Sequence, residues 1–168
     1  MNKRTRQYIG LFSAVFAYYL IHEGAHLIYA LAIGAFKQIN IMGLGMQIDI
    51  YEEQMTSMQL GIFCLVGAMA TLVTAYILTA LAHRIKEHRS SVLKACMYYI
   101  TFAMLLLDPL YLSVLCGFFG GGDMNGIALL VPEYVARIGY VVLLVVNGTV
   151  FFRVILPEYK KGFSVETT

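Results

Sequence analysis

The sequence predicts an all-α polytopic membrane protein with about four transmembrane helices and a short β-hairpin after the first. Three observations predict it. Of the 168 residues, 60% are hydrophobic and only 13% charged, far less charge than a soluble domain of this length exposes. Four stretches, near 7–36, 54–82, 92–119 and 132–156, are apolar over the roughly 20 residues needed to cross a hydrocarbon core of about 30 Å. Basic residues gather on one side of those stretches: Lys3, Arg4 and Arg6 before the first, Arg84, Lys86 and Arg89 between the second and third, and Arg153, Lys160 and Lys161 at the end. Residues 1–168 read as a single membrane-embedded domain with no soluble domain attached. The positive-inside rule places both termini in the cytoplasm of a multi-pass protein of the cell membrane. A basic turn of this kind is a solvated loop, and nothing in the pattern supports nucleic-acid binding.

The first stretch is too long to be a cleaved signal peptide. Between Arg6 and Lys37 its only acidic, basic or histidine residues are His22, Glu23 and His26. These form the pattern His-Glu-x-x-His. Histidines four residues apart share one face of a helix, one turn apart, as zinc-hydrolase chemistry requires, and the glutamate between them can hold a water at the same metal. Ionisable groups at membrane depth are costly and mark function by default.

From Ala35 to Glu53, Ile39 and Ile41 alternate with Gln38 and Asn40, and Ile48 and Ile50 alternate with Gln47 and Asp49, around the pair Gly43 and Gly45. Alternation about glycines predicts a β-hairpin. Such a hairpin packs on the helix ends, or lends its free edge to an extended peptide. The second span opens after Thr56 and Ser57 and holds Gly61, Gly67, Ala68, Ala70 and Ala75, small residues that permit close helix approach in lipid. The third carries Asp108, then Pro109, which removes a backbone donor, and ends in glycines 120–122 before Asp123. The fourth is expected to stop before Pro157 and leave a polar, mobile tail. Cys64, Cys96 and Cys116 lie in apolar stretches without metal-ligand spacing and read as packing residues. His83 and His88 read as loop histidines.

A hydrolytic zinc site takes three protein ligands. His22 and His26 supply two, and Asp108 and Asp123 are the candidates for the third. Depth favours Asp108, since an unpaired carboxylate in the bilayer costs at least about 2.5–3.5 kcal/mol. Local flexibility favours Asp123, which glycines flank. Each also has an ordinary structural reading, as a buried bonded carboxyl and as a turn or cap residue.

The order of these features resembles the site-2 protease family of intramembrane zinc metalloproteases, as a minimal, divergent member. Leu65-Val66-Gly67-Ala68-Met69 stands where the family has a Gly-Pro motif, without its proline. Gly122-Asp123-Met124-Asn125-Gly126 stands where it has Leu-Asp-Gly-Gly, and the upstream Asn-x-x-Pro is absent. The resemblance spans residues 14–130 and implies Asp123 as third ligand, with Asp108 then bonding a ligand or substrate from behind. It also implies a cytoplasmic hairpin, whereas the charges place the hairpin outside, and the charges are followed here.

The expected function is a Zn2+-dependent endopeptidase that cleaves a membrane-spanning or membrane-proximal peptide. Glu23 accepts a proton from water and returns it to the leaving amine. Asn125, or a backbone donor of the glycine loop, would steady the oxyanion. The alternative is a non-catalytic membrane zinc protein, a scaffold or partner-binding subunit. A metal transporter would need polar residues at several depths of several helices, and the second and fourth spans supply almost none.

Overall fold

The computed structural model describes residues 2–42, 45–120 and 122–164. Gly43 and Gly121, named above as turn glycines, lie outside the described residues. Among the described residues, four helices are long and apolar enough to cross a membrane: α1 (Lys3–Ala32), α2 (Ser57–Lys86), α3 (Ser91–Phe119) and α5 (Glu133–Phe163). A short helix, α4 (Asp123–Ile127), interrupts the connection between α3 and α5. Strands β1 (Phe36–Met42) and β2 (Gly45–Ile50) form the expected antiparallel hairpin after α1.

Local chemistry sets the starts of the helices. Asn2 caps α1 by accepting the Thr5 N–H at 2.8 Å, which begins the helix at Lys3, earlier than hydropathy alone suggests. Thr56 and Gln59 bond each other's backbone N–H groups at the start of α2, a reciprocal capping box. Ser90 accepts the Leu93 N–H at the start of α3. In the hairpin, Asp49 on β2 accepts from Gln38 and Asn40 on β1, which accounts for the polar members of the alternation. The register slips at Lys37, between Phe36 and Gln38.

Helix α1 packs on α2 and α3, α3 packs on α5, and α4 lies on α2. One core gathers Ala30, Phe63, Ala68 and Leu112 with Met124 and Ile127 around the hairpin end of the bundle. A second gathers Met104, Leu105, Phe151, Ile155 and Tyr159 toward the other end. All three cysteines are free, and Cys64 and Cys116 are buried packing residues.

The buried side chains of Thr71, Thr101, Asp108 and Asn147 in the spans are hydrogen-bonded, whereas the Tyr159 hydroxyl and the Nδ1 atoms of His22 and His26 are not, among the described residues. Pro109 has no N–H to give the Leu105 carbonyl four residues back. The Asn147 side chain on α5 donates to that carbonyl at 2.7 Å and accepts from the Tyr76 hydroxyl on α2 at 2.8 Å, so one amide joins three helices. The helix widens into a π turn at Tyr111–Leu115, just after the proline, and again at Phe151–Ile155.

The chain does not leave the helix at Pro157. Helix continues to Ser164, and Ile155 and Tyr159, one turn apart, are buried. Lys86 pairs with Glu158 at 2.5 Å, and Lys94 donates to the Gly162 carbonyl at 2.6 Å. The segment after Glu158 is therefore a docked helix as far as Ser164, held by an apolar stripe that its polar composition conceals.

Candidate metal centre

Helix α1 presents His22 and His26 from successive turns, and both are buried. Their Nε2 atoms lie 3.2 Å apart. The Asp123 Oδ2 atom stands 3.2 Å from His22 Nε2 and 3.6 Å from His26 Nε2. These three side chains form a group able to hold one metal ion. They sit toward the hairpin end of the bundle: the six residues from His26 to Ala32 span about 9 Å of helix.

Asp123 reaches the histidines because the chain turns sharply after α3. Gly120 and Gly122 have φ values of 91° and 42°, which a side chain would oppose. The Tyr111 hydroxyl donates to the Gly120 carbonyl at 2.9 Å and pins the turn. Met124 and Ile127 then bury α4 against α2, which fixes Asp123 at the first position of the short helix. Burial works against its charge, but the bonds to His22 and His26 prevail and hold its carboxyl at about 2, below the ordinary range.

Helix α2 contributes an opening. A β-carbon on Gly67 would stand 2.4 Å from His26 Nε2 and 2.7 Å from His22 Nε2. Only glycine keeps the space between the two nitrogens clear. Gly67 therefore does more than let helices approach.

Asp108 lies behind the histidines, outside this group. Its Oδ1 accepts from the Tyr18 hydroxyl and its Oδ2 from the Thr71 hydroxyl. Oδ1 also lies 3.4 Å from His22 Nδ1, the ring nitrogen turned away from Asp123. Its partners come from α1 and α2, so depth brought it to His22 from the side opposite the ligand atoms.

Glu23 points to a cavity of about 400 Å³ that His26 and Asp123 also line. Its Oε2 accepts the Ile48 N–H of β2 at 3.3 Å. The remaining wall is β2 from Gly45 to Ile48 and Gly122, together with Tyr19, Phe63 and Tyr111. Sequence reasoning missed those three aromatics. Tyr19 lies four residues before Glu23, a spacing that could have identified it. Tyr111 and Phe63 carry no local signal. Asn125 is exposed and does not line this cavity. Two residues along a helix turn the side chain by about 200°, so Asn125 faces away from the centre that Asp123 faces. The oxyanion role assigned to it is withdrawn.

No protein-family model, curated protein or solved structure matches this chain.

Proposed function

We propose that this chain is a zinc-dependent intramembrane endopeptidase, similar to the site-2 proteases. The observation that carries the reading is one cavity bounded by His26 and Asp123, a separate carboxylate on Glu23, and the edge of β2. Zinc suits the ligand group. Ligands about 2.0–2.2 Å from a tetrahedral ion stand about 3.3–3.6 Å from one another, and the three separations here are 3.2, 3.2 and 3.6 Å. Two imidazoles with one carboxylate are a common hydrolytic donor set.

When bound, zinc supplies a polarised carbonyl and a water that is nucleophilic near neutral pH. The other parts belong to the chain. Glu23 takes a proton from the attacking water and gives it to the leaving amine. Asp108, 3.4 Å from His22 Nδ1, attracts that side of the ring and so favours the orientation in which Nε2 faces Asp123. The Ile48 N–H points to Glu23 and away from β1. In an antiparallel pair every second residue turns outward, so Met46 and Ile48 present backbone groups to the cavity. An unwound membrane segment can pair with them as a third strand, which places its carbonyls beside Glu23. By the charge pattern, both termini would be cytoplasmic, and the hairpin and cavity would open on the opposite side of the membrane.

One observation favours a second reading, a non-catalytic zinc protein: Glu23 anchors the hairpin through Ile48 and so has a structural use. Glu23→Gln separates the two. Glutamine still accepts the Ile48 N–H but cannot relay a proton. The full chain in lipid vesicles is given membrane-spanning reporter peptides, while bound zinc is counted by elemental analysis. The variant should keep its zinc and lose cleavage. Equal cleavage by both forms sinks the protease mechanism, and cleavage by neither favours the scaffold.

A further inference from the structure

Two recesses that share Tyr99 follow the seam of α1 and α3, away from the metal ligands, and together make one groove if they join there. At the basic end of the bundle it opens as a recess of about 570 Å³ with Lys3, Arg6 and Lys160 at the rim and Tyr98, Tyr99 and Phe163 in the wall. The Arg6 guanidinium stands 4.7 Å above the Phe163 ring, and the Lys94 ammonium lies 5.6 Å from the same ring. Tyr99 is shared with a second recess of about 390 Å³ that passes Leu11, Val15, Phe102 and Leu107. That recess ends at Tyr18 and Tyr19, and Tyr19 also lines the cavity beside Glu23.

We propose that this groove holds one anionic phospholipid from the leaflet at the basic end. Its phosphate lies at the rim beside Lys3 and Lys160, and one acyl chain follows the seam to Tyr18 and Tyr19. Length agrees: the twelve residues from Arg6 to Tyr18 rise about 18 Å, against about 15 Å for half a hydrocarbon core. So does chemistry. Between Tyr99 and Tyr18 the wall is Leu11, Ala14, Val15, Phe102, Ala103 and Leu107, all hydrocarbon and aromatic carbon. A peptide laid there would bring backbone groups that need partners this wall does not offer, whereas an acyl chain brings none. The cluster of cations at the mouth selects a negative headgroup over a zwitterionic one. The site does not depend on whether the protein cleaves peptides, although its far end touches Tyr18, which bonds Asp108.

The test is native mass spectrometry of the full chain in mild detergent, with phosphatidylglycerol or phosphatidylcholine of matched chains. Phosphatidylglycerol should be retained at least about 10-fold better, since each surface cation is worth about 5-fold. Lys3→Gln with Lys160→Gln, both at exposed positions, should remove most of that preference. Arg84→Gln with Arg89→Gln, an equal charge change off the groove, should leave it intact. Val15→Phe, at a lipid-facing position, narrows the seam and should reduce retention without touching the rim. Equal retention of the two lipids overturns the proposal, as does equal loss from the two charge pairs, which means diffuse attraction. Displacement by millimolar inorganic phosphate, with Val15→Phe silent, means a phosphate site without an acyl groove and overturns it as well.

Discussion

Gly67 on α2 faces His26 so closely that a β-carbon there would lie 2.4 Å from the Nε2 atom. A methyl group at this point occupies the space the ligand atoms surround. Gly67→Ala should therefore abolish high-affinity zinc binding while the helix, which favours alanine by about 1 kcal/mol over glycine, stays formed. Zinc content measured beside helical circular dichroism checks this.

The two aspartates should separate by magnitude. Asp123→Ala removes a donor atom from the ligand group and should weaken zinc by about 100-fold or more. Asp108→Asn keeps the shape but loses the charge behind His22 and turns one of the two acceptor oxygens into a donor, an outer change for which about 10-fold is usual. Competition against chelators of graded strength reads both. A larger loss for Asp108→Asn would exchange their roles.

Metal removal should be felt in the chain as well as at the site. The ligand atoms come from α1 and α4, 101 residues apart in sequence, so an ion ties the short helix to the first span. Chelation should raise amide exchange in residues 122–130 far more than in the middle of α2, because ion binding contributes directly to the stability of what it connects. Hydrogen–deuterium exchange with and without chelator makes the comparison.

Asn147→Leu should cost about 1–3 kcal/mol. It strands the Leu105 carbonyl that Pro109 cannot serve and leaves the Tyr76 hydroxyl without its acceptor. Pro109→Ala in the same background returns an N–H to that carbonyl and should recover part of the loss. Thermal unfolding of the single and double variants measures the coupling.

Much of this was legible in the sequence. Hydropathy finds the four spans and alternation finds the hairpin, because both are repeating patterns within a few residues. His22 and His26 are legible because a helix turns sequence spacing into spatial spacing. Asp123 against Asp108 was not decidable from one chain: each meets His22, one at Nε2 and the other at Nδ1, and only the path of the turn at Gly120 and Gly122 tells them apart. The placement of Asn125 failed because a five-residue helix rotates it away from its neighbour. The segment past Pro157 was misread because its anchors, Lys86 and Lys94, lie more than sixty residues earlier.

The amide of Asn147 also has a consequence for depth. Helices in lipid gain little from solvent exclusion and could slide along one another at small cost. A slip of α5 by one turn, about 5.4 Å, would take Asn147 from both Leu105 and Tyr76 at once, and a like slip of α1 past α3 would part Tyr18 from Asp108. These bonds are register marks along the membrane normal. They favour one vertical alignment of the bundle, so under the proposed function the scaffold would set the height at which a peptide meets Glu23, and a substrate would have to bring its weak point to that height.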